Sequence, residues 1–396
     1  MRRRPTKRAG VVAGVGLMLV FVGVTAQAGW LFVLAAAVLS AVAASLFAGR
    51  GVGRLEVGRV APPHATVGDD VVVELELCNR GRAGLFLVRI EDRFAALAPV
   101  TVVYEDVPAG ERVTASARTT ANRRGRFDSG RLVASTGWPF GFFRSVRELD
   151  VESTFVVLPR SVELRSFPLL EPSSYPAEAL HERARIGAGL DYLGVREYRP
   201  GDPLRLVHWR STARRGRLVV REYGEEALSR VAILLAGAET GDPPDSSFEA
   251  LVTAAASIAL YALATGHPVD LYRASSGGIE QVRAPDRREL LEWLATAEPC
   301  DEPLRGLVDA AAPRVGRRGT MVLLSPSRGR TASGLVDAVR AAQAFGARAV
   351  AVVARSSSWA AMGRAGLEDG LLDQLGDRTH VRALARGEDL RLCLEG

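Results

Sequence analysis

Residues 231–272 read VAILLAGAETGDPPDSSFEALVTAAASIALYALATGHPVDLY. Val231 to Leu235 is a short, wholly apolar run, the composition of a buried strand. Phe248, Leu251, Val252, Ala255, Ile258, Ala259 and Ala262 then fall at helical spacing on one face, and Val269 to Tyr272 reads as the next strand. The alternation continues downstream with a helix over Arg287 to Ala297, a strand over Met321 to Leu324, a helix over Leu335 to Phe345 and a strand over Ala349 to Val353. This order predicts an α/β domain over residues 225–396, built on a parallel, doubly wound sheet. Ligands of such sheets sit at the carboxyl ends of the strands.

Just upstream lies a stretch more polar over its length than anything that precedes it. Residues 189–223 read GLDYLGVREYRPGDPLRLVHWRSTARRGRLVVREY, with seven arginines between Arg196 and Arg217. We read an extended segment over Val195 to Tyr198, a turn at Pro200-Gly201-Asp202-Pro203, a short helix or loop over Leu204 to Ser211, and a strand over Arg217 to Glu222. Asp202 is expected to cap the segment after the turn through its carboxylate. Leu204, Val207 and Trp209 are expected to point inwards, with Arg205 and Arg210 outwards. Asp191, Glu197, Asp202 and Glu222 are interleaved with the arginines, which predicts internal ion pairing for many of them. Residues 160–188 hold several prolines and little periodicity, so 160–224 is taken as a linker or strapped-on loop followed by this signature segment.

At the other end, Ala9 to Ala26 and Leu31 to Ala48 are two apolar runs of 18 residues. Each is long enough to cross a hydrocarbon core of about 30 Å. Residues 1–50 are thus expected to form a transmembrane hairpin, its link carrying Trp30 at the interface. Arg2, Arg3, Arg4, Lys7 and Arg8 precede the first run, and Arg50, Arg54 and Arg59 follow the second. Both ends therefore belong on the positive, cytoplasmic side, which predicts a multi-pass protein of the inner or plasma membrane with its large soluble region in the cytoplasm.

Residues 51–159 change to short strands. Val71, Val73, Leu75 and Leu77 alternate with polar neighbours, Leu85 to Ile90 comes after a turn at Asn79-Arg80-Gly81, and further strands are expected at Val100 to Tyr104, Arg112 to Arg118 and Phe155 to Leu158. The pattern predicts an antiparallel β-sandwich-like domain. Two motifs stand out in it: Asn122-Arg123-Arg124-Gly125-Arg126-Phe127, and Trp138-Pro139-Phe140-Gly141-Phe142-Phe143-Arg144. The aromatics of the second are expected to fill the sandwich at a β-corner, with an aromatic docking site as the alternative.

The formal charge of +6 is compatible with nucleic acid, acidic lipid or an acidic protein as partner. Cys78, Cys300 and Cys393 lie far apart with no CxxC spacing, which argues against a disulfide framework or a zinc site. The chain contains no GxSxG, HExxH or Walker-type GxxxxGK[ST] run. His208 with Asp202 or Glu197 is the one arrangement that raises a hydrolase. Arg196, Arg199, Arg210, Arg214 and Arg215, interleaved with aromatic residues, raise single-stranded nucleic acid. Against both stands a non-enzymatic docking surface, for which Arg196, Glu197, Tyr198, Arg199, Gly201, Asp202, Arg205, His208, Trp209 and Arg214 are the candidate interaction residues.

The 189–223 signature closely resembles that of a bacterial membrane-anchored family known as domain of unknown function fifty-eight. The upstream R-R-G-R-F and W-P-F-G-F-F-R elements and the two leading apolar helices are similar to that family as well. The resemblance implies a β-domain and a von Willebrand factor A-like domain, and a MoxR-type AAA+ ATPase as protein partner, in assembly or maturation of a complex. It implies no cofactor. Metal-binding von Willebrand A-like domains are similar to one another in an Asp-x-Ser-x-Ser run after the first strand, where hard oxygen ligands hold Mg²⁺. Here Ala236 and Ala238 stand at the first two of those positions and Thr240 at the third, so no such metal site is expected.

Overall fold

The computed structural model describes residues 2–47, 50–94, 96–168, 170, 191–199, 202, 204–224, 230–284, 286–316, 319–360 and 366–396. The chain divides into two compact units, Met1–Leu158 and Pro159–Gly396.

The first unit begins with a short strand, β1 (Arg2–Pro5), then two helices, α1 (Lys7–Thr25) and α2 (Gly29–Phe47). At 19 residues each, and a rise of about 1.5 Å per residue, they match a hydrocarbon core of about 30 Å. Their composition and length make both candidate membrane spans. Small residues set their packing. Ala9, Gly16 and Gly23 are the buried positions of α1, spaced so that they fall on one face. A Cβ at Gly16 would meet Leu39 at 2.7 Å, and one at Gly23 would meet Leu31 at 3.3 Å. In lipid, where apolar burial gives no net drive, such close backbone approach is what holds helices together.

Eight strands come next: β2 (Leu55–Val60), β3 (His64–Thr66), β4 (Asp70–Asn79), β5 (Leu85–Arg93), β6 (Val100–Val107), β7 (Arg112–Thr120), β8 (Gly125–Thr136) and β9 (Phe143–Leu158). One sheet runs β1-β9-β8-β5-β6, with β3 added to β9, and a second runs β2-β4-β7. Val71, Val73, Leu75 and Leu77 from β4 share one core with Val88, Ile90, Leu132, Ala134, Phe155 and Val157 from the larger sheet. The alternation read from β4 is thus the inward face of the smaller sheet.

Strand β1 was not foreseen, because Arg2 to Arg4 read only as flanking charge. It pairs antiparallel with β9, from Arg2 opposite Val146 to Pro5 opposite Phe143. The Trp138–Phe143 aromatics also depart from expectation. Trp138 is 44% and Phe140 51% exposed, so they lie outside the sandwich core instead of filling it.

The second unit carries a mixed sheet of six strands. They are β12 (Val231–Leu235), β13 (Val269–Ser275), β14 (Gly278–Ala284), β15 (Thr320–Pro326), β16 (Arg348–Ala354) and β17 (His380–Leu384), after the pair β10 (Asp191–Glu197) and β11 (Val219–Gly224) that forms the signature. Their order is β14-β13-β12-β15-β16-β17. All neighbours are parallel except β14, which pairs antiparallel with β13 through the hairpin at Gly277 and Gly278. The sheet expected to be wholly parallel is therefore mixed at one edge. Counting from α3 (Trp209–Arg215), and apart from single turns at Arg330–Ser333 and Ser356–Trp359, the described helices are α4 (Ser247–Ala264), α5 (Arg287–Ala295), α6 (Arg305–Val315), α7 (Leu335–Ala344), α8 (Gly366–Gly376) and α9 (Leu390–Glu395). Helix α4 starts where Ser246 accepts the Glu249 amide, a capping interaction worth about 1 kcal/mol. Its apolar face is buried from Phe248 to Ala262, as the spacing predicted.

The beginning of the segment read as linker is strapped onto this unit. Leu164, Phe167 and Leu170 are buried. The Val162 amide donates to Ser257 Oγ at 2.9 Å, and Tyr261 donates to the Leu170 carbonyl at 3.3 Å. The rest of the expected linker, residues 171–188, lies outside the described residues.

Candidate functional site

The signature folds as a two-stranded ribbon with a helical insertion. Strands β10 and β11 pair antiparallel from Asp191 opposite Gly224 to Glu197 opposite Val219. Between them the chain makes a 3₁₀ turn at Leu204–Leu206 and the short helix α3. The helix is bound back to the ribbon. The His208 amide donates to the Val219 carbonyl at 2.8 Å, Val207 bridges to Val220, and the Val219 amide donates to Thr212 Oγ1 at 3.1 Å. Val207, Val219 and Val220 are buried and anchor the motif.

Arg196 and Asp202 close the turn. The guanidinium donates to both carboxylate oxygens, at 2.8 and 2.9 Å, and the Arg199 amide adds a third bond to Asp202 at 2.8 Å. The Arg196 hydrogen bonds, helped by the Arg199 amide, hold the Asp202 carboxyl down at about 2, from an ordinary 3.8. Asp202 thus ties the chain backwards to Arg196 and Arg199, where capping of the next helix was expected. That capping falls to His208, whose Nδ1 accepts the Ser211 amide at 3.3 Å and lies 2.7 Å from Ser211 Oγ.

The predicted inward face is corrected in part. Val207 is buried, but Leu204 is 65% and Trp209 67% exposed. Arg217 pairs with Glu197, and Arg196 with Asp202. Arg210, Arg214 and Arg215 are exposed, with no carboxylate ion pair among the described residues, while the exposed Arg199 adds its charge to the field on Asp202. The side chains of Asp191 and Glu222, the other two interleaved carboxylates, lie outside the described residues. Tyr198 is half-buried and extends the ribbon through its amide, which donates to Leu218. Gly201 lies outside the described residues, as does the side chain of Arg205. His208 hydrogen-bonds neither Asp202 nor Glu197 among the described residues. The arrangement brings an apolar knob and a set of cations together on a tied-down ribbon.

The carboxyl ends of β12 and β15 meet at the point where strand order reverses. Ala236 is buried there. Gly237, at φ 153°, exchanges both backbone hydrogen bonds with Cys300 at 2.9 Å, and a Cβ on it would strike the Pro326 ring. The Thr240 amide donates to Ser247 Oγ at 3.0 Å, and Ser246 donates to Glu239 at 2.8 Å. Nearby, Glu368 is buried and accepts from Ser327 Oγ at 2.6 Å and the Ser357 amide at 2.9 Å. Burial pushes its carboxyl up, but these hydrogen bonds and Arg328 outweigh it and leave it below its usual value. Among the described residues no cluster of three or more His, Cys, Asp or Glu is placed to hold a metal ion.

These features define a chain with two apolar helices long enough to cross a membrane, a two-sheet β-domain, an arginine-rich ribbon and an α/β domain. Residues 194–365 match the family model described as "Protein of unknown function DUF58". No curated protein matches the chain. Among solved structures, the CARDB domain of PF1109 from Pyrococcus furiosus is similar at 14% identity, covering 25% of this chain and 94% of that one, with a TM-score of 0.16. A GH20 exo-β-N-acetylglucosaminidase from Vibrio harveyi is similar at 8% identity over 84% of this chain and 82% of its own, with a TM-score of 0.20. Likenesses at this level carry no argument about fold or activity.

Proposed function

We propose that this is a membrane-anchored interaction adaptor whose signature ribbon docks a protein partner, and that the partner is a MoxR-type AAA+ ATPase acting in assembly or maturation of a complex. The observation that carries the docking reading is the exposed Trp209, on the same insertion as the exposed Leu204 and as Arg210 and Arg214, which are exposed with no carboxylate ion pair among the described residues. Tryptophan and arginine are the residues that most often dominate binding energy at protein interfaces. A ribbon already fixed by the Arg196–Asp202 pair loses little further entropy on binding. The ATPase rests on the family resemblance alone. The same residues fit a partner surface with acidic side chains around an apolar pocket.

The α/β domain we read as von Willebrand factor A-like. The order β14-β13-β12-β15-β16-β17, with β14 antiparallel at the edge, supports that reading. The arginines flanking both helices support a cytoplasmic site for the soluble region. Affinity purification of the full chain from native membranes, beside its Trp209→Ala variant, tests the function. Recovery of an AAA+ ATPase with the wild type, and its loss with the variant, is the expected result. Absence of any ATPase from both, with steeply salt-dependent binding of single-stranded nucleic acid instead, would move the assignment to the arginine-rich rival.

A further inference from the structure

We infer that the Trp138–Phe143 loop, together with Phe86 and Leu87, is a membrane-interface anchor that seats the β-domain on the anionic phospholipid leaflet entered by α1. The inference rests on the reading of α1 and α2 as membrane spans. Its starting point is a depth marker within one unit. Thr6, the residue immediately before α1, donates its amide to Phe142 O at 2.9 Å and its hydroxyl to Gly141 O at 2.9 Å. The loop is therefore hydrogen-bonded to the level at which the apolar helix begins. Strand β1 fixes the same relation a second time, since Pro5 lies opposite Phe143.

What the loop presents at that level is apolar and uncovered. Trp138 is 44%, Phe140 51%, Phe86 41% and Leu87 48% exposed. The Phe86 and Trp138 rings are 5.3 Å apart, and the Phe140 and Phe142 rings stack at 5.7 Å. Each ring thus rests against one neighbour, and Trp138, Phe140 and Phe86 still keep two fifths or more of their surface exposed. Leu87 is held at φ 46°, a strained conformation for a branched side chain, and is still left exposed. Aromatic side chains concentrate at the headgroup level because one part of the ring system is apolar and another tolerates water. Charge points the same way. Arg2, Arg4, Lys7 and Arg8 surround the helix start, are exposed, and have no carboxylate partner among the described residues. Cations in that position are drawn to anionic headgroups.

The test uses the full chain in vesicles of phosphatidylcholine and phosphatidylglycerol with acyl chains brominated at shallow or deep positions. Tryptophan emission is compared for the wild type, Trp138→Phe and Trp30→Phe. Subtraction is expected to show a blue-shifted Trp138 component quenched more by shallow than by deep bromines. Phe140→Ser, at an exposed position, is expected to weaken that quenching while leaving Trp138 in place. If Trp30 is quenched and Trp138 is not, the helices insert but the loop faces water or a protein, and the anchor is overturned. If neither is quenched, the spanning reading falls, and the anchor with it.

Discussion

Arg196 and Asp202 form a two-point ion pair across the signature turn, with both guanidinium ends on the carboxylate at 2.8 and 2.9 Å. It fixes the end of β10 relative to the helical insertion that carries Trp209. The folded-state carboxyl sits at about 2, below its ordinary 3.8. The contribution of the pair to order is therefore complete above 3.8 and is lost as pH falls towards about 2. Carbon-13 titration of aspartate-labelled protein should show one carboxyl with a midpoint near that low value, and Arg196→Met should raise it. Asp202→Asn should speed amide exchange across 191–199 at neutral pH. Unchanged exchange would mean that the ribbon does not depend on this pair.

A second ion pair belongs to the β-domain core. Arg59 donates to Asp92 at 2.8 and 2.5 Å with both side chains almost fully buried, and adds Ser153 Oγ at 3.1 Å. Its guanidinium carbon lies 4.5 Å from the Phe94 ring centre. Gly130 leaves the space, since a Cβ there would come within 2.6 Å of Arg59 Nη1. Removing one partner strands a buried charge, so Asp92→Ala should cost about 3–5 kcal/mol in chemical denaturation. Ser153→Ala should cost only about 1 kcal/mol.

These two pairs mark where the sequence could be read and where it could not. The run from Val231 to Leu235 and the spaced apolar residues of Phe248 to Ala262 carry their burial in their composition, so β12 and α4 can be read directly. Arg196–Asp202 is a local pair, visible as interleaved charges, although the direction of the Asp202 bonds was not. Arg59–Asp92 joins residues far apart in sequence, and neither neighbourhood signals a buried charge. Strand β1 was hidden because its pairing with β9 uses backbone groups, which arginine side chains neither advertise nor forbid. Exposure of Trp138, Phe140 and Trp209 was misjudged because aromatic residues are buried by default, and only the fold reveals which ones lack a cover.

Strand β1 also settles sidedness in relative terms: pairing with β9 puts the amino-terminal segment on the same side of any membrane as the β-domain. On the reading of α1 and α2 as membrane spans, Gln27, in the turn between them at φ 52°, belongs on the other side. With Cys300 and Cys393 replaced by serine, a membrane-impermeant maleimide applied to intact cells should label Gln27→Cys. Ala109→Cys, in the exposed turn after β6, should react only after lysis. The reverse pattern would invert the orientation drawn from the flanking arginines.

His208 is placed as a helix cap. Its ring nitrogen accepts the Ser211 amide, so His208→Ala should destabilise the motif by about 1 kcal/mol. His208→Asn, which retains a capping acceptor, should recover much of that loss in the same unfolding experiment. A hydrolase centred on this residue would instead lose turnover with both variants.

The remaining prediction concerns the carboxyl edge of the α/β sheet, where a divalent ion would be expected if the domain kept an adhesion-type site. Ala236 is 1% exposed and offers no oxygen beyond its backbone. Glu239 accepts from Ser246, and Glu368 from Ser327 and Ser357. A hard cation needs several oxygens free to converge on it. Taking these from their present donors would leave the buried Ser246 hydroxyl and the half-buried Ser327 and Ser357 donors unsatisfied. Titrating Mg²⁺ into the full chain should therefore give no saturable heat. Ala236→Asp should not create a site, because the new carboxylate would be buried in the apolar cluster that Ala236 shares with Leu234 and Leu304, and should instead lower the unfolding temperature. Saturable Mg²⁺ binding by the wild type, abolished by Thr240→Ala or Asp242→Ala, would show that the ligand set has been rebuilt from other residues at this edge.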